Sequence, residues 1–471
     1  MSPGFSPRAA GRRPGALPGL AARAEALMVR YRDHVALVHA FMFVLFVAVL
    51  GLPLFFEPPP ELAGPFDHIA RFANFLIWGL WFPLVFVSVV LTGRSWCGLL
   101  CPMGAAAEWT NSIGLKREIP RWLRWPGTPV VSFLIVTIWG QTLGVRDHAL
   151  AMAILFGTTM GAAMLVGFVY GRRKRAWCRH ACPIGLMLGV YSRLGAVDFS
   201  PKRPAPGAVT WTERTVCPTM IDLDHKVESR HCIECFRCVS PKAPGGLYLR
   251  LRHPGAEIEE VRNHHANLSE VMFLFMGTGT ALGGFLWLVL DSYQRLRQAV
   301  GGWAIDHDLF WLGEPGPVWL MAVYPNEREV LRWLDFFLIS GTMLGWLALM
   351  TALLSATTAA AAWLSGRAGG TGSFRQRFTE LGYLVAPVAM VSLLIGLAGG
   401  LFHTLQTLGL GSGGAALLKG GLFVAGGLWS LRLGWRLLAR QEVPARRRWL
   451  ALIPGALGSL AVGAAWYPAI F

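Results

Sequence analysis

The sequence predicts an all-α polytopic membrane protein with about nine transmembrane helices. Three observations carry this. Of the 471 residues, 54% are apolar and only 15% are charged, where a soluble domain carries roughly 25% charge. The mean hydropathy is +0.46. Apolar stretches of the length that crosses a bilayer, about 20 residues, recur at 34–56, 72–92, 127–145, 149–170, 270–290, 334–356, 381–403, 413–434 and 449–468.

Taken in order, the first span follows a tail, 1–33, with six arginines. That tail is too long for a signal-peptide n-region and no cleavage site follows the apolar run, so the first helix is read as retained. With the N-terminus inside, the segments 1–33, 93–126, 171–269, 357–380 and 435–448 with Arg432 hold 36 of the 43 Lys and Arg. This positive-inside bias orients the chain in the membrane. The tail and the loop 171–269 are then cytoplasmic and Phe471 periplasmic. It also accounts for the net charge of +16 without nucleic acid as a partner. No recognition helix or aromatic–basic groove argues for one.

An internal repeat lies in the first half. RSWCGLLCPMGAAAEWTNSIG (94–114) and RAWCRHACPIGLMLGVYSRLG (175–195) share Arg, Trp, Cys, Cys, Pro and two Gly at a constant offset of 81. Each copy follows two spans, so both fall on the same face of the membrane: a parallel repeat. The organisation read from this is a basic tail (1–33), two helical hairpins each ending in C-x3-CP (34–195), a cytoplasmic segment (196–269) and a five-helix C-terminal region (270–471).

All eight cysteines fall on the cytoplasmic side, where structural disulfides are rare and metal or redox chemistry is the better expectation. Cys232, Cys235 and Cys238 form C-x2-C-x2-C, a spacing at which thiolates wrap three corners of a [4Fe–4S] cube. The fourth cysteine that usually follows is absent, and Cys217, itself before Pro218, is assigned in its place. The competing reading is a structural zinc on the same four residues, although zinc ribbons more often carry two separate C-x2-C knuckles.

The pairs Cys97/Cys101 and Cys178/Cys182 sit four residues apart, on one side of a helical turn. Each second cysteine precedes Pro102 or Pro183, which suits the first position of a helix. Helices are therefore expected over 102–114 and 183–195. Their N-termini, with Arg94, Arg175 and Arg179 nearby, are expected to favour thiolate. Four thiols meeting at the repeat interface leave three readings open: a second iron–sulfur cluster, exchanging dithiols, or another metal such as copper or zinc.

On the residues WCGLLCPMG (96–104), WCRHACPIG (177–185) and HCIECFRC (231–238), the first 270 residues resemble the NosR/NapH/CcoG group of membrane polyferredoxins. The resemblance implies a membrane electron-transfer component rather than a stand-alone enzyme. Electrons would pass between a quinol or cytoplasmic donor and a membrane or periplasmic redox partner, which makes a quinone a candidate ligand. The chain departs from that group in carrying one incomplete ferredoxin motif where two are frequent. It also lacks the flavin-attachment tetrapeptide of NosR-like members and the terminal β-domain of CcoG-like ones. Residues 270–471 fall outside the resemblance. The rival from another class is a transmembrane thiol–disulfide relay with zinc in the loop.

Weaker signals receive plain readings. His34 and His39 do not share a helix face, and His68, His148 and His403 lie near the outer edge, so haem is disfavoured. The tryptophans at the span boundaries form an aromatic belt, with a quinone pocket as the sharper alternative. Asp335 lies close to the interface, with a proton relay as the sharper alternative; Lys419 is expected to snorkel outward, and GLAGG (396–400) and GGLFVAGG (420–427) read as helix-packing faces. No strand is expected, and 291–333 reads as a short amphipathic outer connection with acidic residues that could dock a partner.

Overall fold

The computed structural model describes residues 18–60, 63–171, 174–202, 216–240, 245–327 and 329–470. The first half of the basic tail and Phe471 lie outside the described residues. Helix α1 (Pro18–Tyr31) turns through Arg32–His34 into α2 (Val35–Gly51), and α3 (Ile69–Thr92) returns. After the first motif come α4 (Pro102–Ile113), α5 (Thr128–Leu143) and α6 (Ala149–Val169). Beyond the second motif lie α7 (Gly185–Tyr191) and the strands β1 (Val197–Pro201) and β2 (Leu247–Leu251). The C-terminal region holds α8 (Leu268–Leu286), α9 (Asp291–Asp306), the short strands β3 (Val323–Tyr324) and β4 (Glu329–Val330), α10 (Trp333–Arg367), α11 (Phe374–Leu397), α12 (Gly399–Arg440) and α13 (Ala445–Ala465).

Eight helices among the described residues are long and apolar enough to cross a membrane. The ninth expected span, 127–145, is α5, only 16 residues long, or about 24 Å at 1.5 Å per residue. It stops because Gly144 takes a left-handed conformation (φ +71) and its N–H caps Gly140 O. The expectation of no strands is corrected by two small antiparallel pairs, β1 with β2 and β3 with β4. The segment 291–333 is more than a connection, since it folds into α9 and the β3–β4 hairpin.

Small residues set the closest helix contacts. A Cβ on Gly279 or Gly283 of α8 would come within 2.7 Å of backbone atoms at Trp346–Leu347 or Met343 of α10, so these helices meet backbone to backbone. The expected glycine faces hold in part: Gly396 lies under Phe285 and Gly426 under Val391, while Gly420, Gly421 and Gly427 face open space. Asp335 is a structural residue. It accepts from Arg332 N (3.0 Å) at the start of α10 and from Arg297 Nε of α9 (2.5 Å), which caps the helix and ties α9 to it. Lys419 Nζ lies 3.5 Å from Ala469 O and 5.2 Å from the Phe402 ring centre.

A buried guanidinium joins the parts. Arg193, fully buried at the end of the second repeat copy, donates to Glu270 of α8 (2.9 Å), Glu257 (2.8 Å) and Glu228 (2.9 Å), and to His264 O (2.8 Å). Tyr383 of α11 donates its hydroxyl to the same Glu270 (2.7 Å) and lays its ring against Arg193. Burial opposes the charge on Glu257, yet Arg193 and Arg252 hold its carboxyl down at about 2.

At the opposite end of the bundle, His148 fastens the β3–β4 hairpin. Its Nδ1 donates to Glu327 (3.1 Å) and its Nε2 to Glu329 (2.7 Å), and its ring stacks on Tyr324. Two carboxylate acceptors require a proton on each ring nitrogen. Burial opposes this charge, but Glu329 and Glu327, with Asp147 alongside, raise the His148 pKa above its ordinary 6.5. A raised value gives stability that is full below the unfolded pKa and lost as pH rises through the folded one. Limited proteolysis between residues 314 and 332 should therefore accelerate several-fold between pH 6 and pH 9. His148→Gln should cleave at the fast rate at both pH values, and equal rates for the native protein would refute the latch.

Candidate metal centre

Each repeat copy makes the same wide turn. The Cys101 N–H donates to Trp96 O and the Cys182 N–H to Trp177 O, both at 2.9 Å. These bonds reach back five residues, the π-type turn that recurs at functional sites. Cys101 then caps α4 from extended backbone, with Pro102 in the first helical position, as expected. The second copy differs, because its helix α7 begins at Gly185 rather than 183 and ends at Tyr191 rather than 195. A tight turn from Cys182 to Gly185 intervenes, with Gly185 N on Cys182 O (3.1 Å). A Cβ on Gly185 would lie 3.0 Å from Cys178 O, so the turn brings the chain back against its own motif.

The two pairs come together. Cys97, Cys101, Cys178 and Cys182 all line one cavity of about 100 Å³, with Arg94, Trp96 and Trp177 in its wall. The repeat-related Arg94 and Arg175 are both buried. Arg94 Nη1 donates to Arg230 O (2.6 Å), while Arg175 donates to Glu108 (2.8 Å) and to Cys97 O (2.9 Å). Burial pushes the thiols of Cys178 and Cys182 up to about 12, and Cys101 in the same direction. Arg175, Arg94 and the backbone N–H groups of Gly104 and Ile184 pull toward thiolate, as expected. At this depth the loss of water outweighs them, and ionisation needs a cation in the cavity.

The second set is assembled by the loop. Cys217, Cys232, Cys235 and Cys238 line a tighter void of about 10 Å³. Glu234 and Phe236, either side of Cys235, both take left-handed backbone (φ 53 and 60), which curls the C-x2-C-x2-C run at a cost of about 1–2 kcal/mol per residue. Cys217 is held by the basic run of the second repeat. Lys174 Nζ donates to Cys217 O (2.8 Å), Arg175 N to Pro218 O (2.8 Å) and Arg179 Nη1 to Thr219 O (2.7 Å). Residues read from sequence as a source of positive potential therefore also act as clamps. Burial raises the thiols of Cys232, Cys235 and Cys238. Helix α1 covers this set, with Glu25 accepting from Leu249 N of β2 (2.9 Å).

The two sets meet most closely at Gly98. Gly98, next to Cys97, lies so close to the loop that a Cβ would sit 2.2 Å from Ile233 O and 2.9 Å from Cys235 N. His39, buried rather than interfacial, donates from Nε2 to Gly98 O (3.1 Å). Glu108 bridges Arg175 and Arg237, two residues beyond Cys235. Burial raises the Glu108 pKa, but the two arginines outweigh it and hold the carboxyl at about 2. Sequence reasoning missed Gly98, His39 and Glu108. The paired Arg94 and Arg175 were visible in the repeat, but Glu108 carried no signal.

The donor chemistry fits an anionic iron–sulfur group. Among the described residues, Arg94 Nε, Arg175 Nη2 and Trp177 Nε1 are buried without a hydrogen-bond partner, and Arg94 and Trp177 line the four-cysteine cavity. Such orphaned donors are costly unless an acceptor fills the space. Among the described residues no three Cys, His, Asp or Glu are placed to hold a single metal ion; the repeat cysteines line a cavity of about 100 Å³ and the loop cysteines a void of only about 10 Å³.

Comparison with known proteins agrees in part of the chain. Residues 74–120 and 149–204 match a 4Fe-4S binding domain, one repeat copy in each segment and Cys97, Cys101, Cys178 and Cys182 within them. An uncharacterized protein of Methanocaldococcus jannaschii is 24% identical over 35% of this chain and 67% of its own length. The protein NirI of Paracoccus denitrificans is 27% identical over 35% of this chain and 26% of its own. The ferredoxin-type protein NapH of Escherichia coli is 24% identical over 33% of this chain and 62% of its own. The chain thus spans from about a quarter to two thirds of these curated relatives. No solved structure matches. The likeness to ferredoxin-type proteins read from the motifs is borne out, and with it an iron–sulfur cofactor and a polytopic helical fold.

Gly98→Ala tests the junction. The added methyl has no room against loop backbone, so the change should destabilise by about 1–3 kcal/mol and loosen the loop. Alkylation of Cys235 in iron-free protein should quicken at least several-fold. An unchanged rate and melting temperature would mean the two segments do not touch there.

Proposed function

We propose that this protein is an iron–sulfur electron-transfer component of the bacterial inner membrane. It passes electrons between a quinol or cytoplasmic donor and a membrane or periplasmic redox partner. Cys217, Cys232, Cys235 and Cys238 hold one [4Fe–4S] cluster, and Cys97, Cys101, Cys178 and Cys182 hold a second. The observation that carries the reading is the pairing of two four-cysteine cavities across Gly98. The N-terminus and the loop face the cytoplasm and the C-terminus the periplasm, a reading supported by the positive-charge bias. The domain division is the one read from sequence, with α1 added as a cover over the loop set.

When bound, each cluster takes up and gives back one electron. The residues around it hold and tune it. Arg94 and Trp177 line the membrane-side set and each carries a buried donor without a partner; donated to the cluster, these would stabilise negative charge there and raise a potential. Lys174, Arg175 and Arg179 fix Cys217 so that the loop set keeps its fourth thiol. Cys217, Cys232 and Cys238 are buried, while Cys235 borders an open cavity of about 490 Å³.

Cys235→Ser should lose roughly half the iron while still inserting, because Ser is a poor substitute for a soft ligand. Iron, acid-labile sulfide and low-temperature EPR on anaerobically purified protein check this. Unchanged iron, or one stoichiometric zinc, would favour the thiol–disulfide relay with a structural zinc. A phosphatase reporter after residue 240 should be inactive, whereas one after residue 471 should be active. Activity at 240 would overturn the orientation.

A further inference from the structure

The last two helices meet at the turn 441–444, and the surface around it is basic. Arg436, near the end of α12, is exposed, as are Arg446 and Arg447 in the first turn of α13. Among the described residues, none of these three side chains has a hydrogen bond or an ion pair. Their neighbours are engaged. Arg440 pairs with Glu260, and Arg432 lies 4.0 Å from Glu259. Arg448 donates to Val443 O (2.8 Å) and lies over the Trp435 ring, 5.3 Å from its centre. Glu442 is the carboxylate of the turn itself.

The three free arginines do nothing for the helix they adjoin. Cations in a first turn oppose the helix dipole, and α13 has no acidic residue there to offset them. Nor do they hold the two helices together. That contact is made by Gly434, where a Cβ would lie 2.6 Å from Leu452 Cδ1, and by Arg448 on Trp435. The turn between α10 and α11 is the contrast, since its arginines are used: Arg377 donates to Ala362 O (3.0 Å) and Arg262 pairs with Glu380 (2.8 Å).

What the free arginines continue is an exposed apolar face. On α13 the exposed Leu450, Ile453, Leu457 and Leu460 fall at steps of three and four, one face of a helix. Arg446 stands one turn before Leu450 on that face. On α12 the exposed Leu417, Val424 and Leu428 run on at the same steps to Arg432 and Arg436. Trp435 and Trp449, both exposed beside the arginines, occupy the place of interfacial aromatic residues. Of the spans among the described residues, α12 buries the least of itself.

We propose that the α12–α13 turn binds the phosphate of an anionic phospholipid, whose acyl chains lie along the exposed faces of the two helices. Arginine recognises a phosphate through charge-assisted hydrogen bonds. A lipid rather than free phosphate is selected because both apolar stripes lead into the arginines. Each basic residue at such a surface strengthens binding to anionic lipid about fivefold. The inference rests on the membrane fold and is independent of the clusters. It gives a binding surface to the C-terminal region, which lies outside the matched 4Fe-4S segments.

The full chain, purified in a neutral detergent, is titrated with phosphatidylglycerol or with phosphatidylcholine of the same acyl chains. Bound lipid is counted by native mass spectrometry. Phosphatidylglycerol should bind at least about tenfold more tightly. The triple change Arg436→Gln, Arg446→Gln and Arg447→Gln should remove that preference. Its melting temperature should hold or rise, since cations leave the start of a helix. Lysine at the same three positions should keep most of the preference. Arg121→Gln with Arg124→Gln, at exposed arginines elsewhere, should leave it unchanged. Equal binding of the two lipids by the native protein overturns the site. So does an equal loss in the Arg121 and Arg124 variant, or displacement of the lipid by millimolar inorganic phosphate. Should the glutamine variant fail to fold, the selectivity of the native protein and the lysine variant still decide.

Discussion

The architecture depends on one buried cation. Arg193 reaches the start of α8 through Glu270, the segment before the C-x2-C-x2-C run through Glu228, and the turn after β2 through Glu257. A guanidinium with no access to water is tolerated only because its donors meet carboxylates and carbonyls. Removing it would leave the buried Glu257 and Glu270 with one arginine each, Arg252 and Arg230, and break the frame at a loss of up to about 3–5 kcal/mol. The second repeat, the loop and the C-terminal helices are thus set in one frame, and Tyr383 extends it to α11. The loop cysteines can only be positioned against the membrane-side pairs if that frame holds.

Within it, the repeat places two arginines in related positions and uses them differently. Arg94 reaches into the loop at Arg230 O, while Arg175 reaches back to Cys97 O and sideways to Glu108. Both keep a buried N–H without a partner. Burial that raises the thiols and arginines that oppose it act in one space, so the cavity is hostile to free thiolate and receptive to thiolate bound to a cation. Charge compensation, more than cysteine spacing, distinguishes this site from four thiols brought together by chance.

Much of this was legible in the chain. The spans, the duplicated C-x3-CP motif and the grouping of Cys217 with Cys232, Cys235 and Cys238 follow from composition and spacing, because membrane length and thiolate coordination both impose local patterns. Span 127–145 holds as α5, Thr128–Leu143, closed at Gly144. What the chain did not show were long-range partners: Asp335, read as lying near the interface, caps a helix and pairs with Arg297. The β3–β4 hairpin was unreadable, since its strands are two residues each and are held by His148 from far along the chain.

By itself, then, the sequence determined the apolar spans, the duplicated cysteine motif and the bias of basic residues to alternate connecting segments, since hydropathy, charge bias and cysteine spacing are properties of contiguous segments. Only the tertiary structure decided that Gly98 joins the two cysteine sets, that Arg175 and Glu108 lie between them, and that a cavity with Arg146 at one end and Cys182 at the other opens between the two halves. Those are contacts between residues dozens to more than a hundred positions apart. Their energies come from excluding water from a shared volume, and no local periodicity encodes which distant segments will share it.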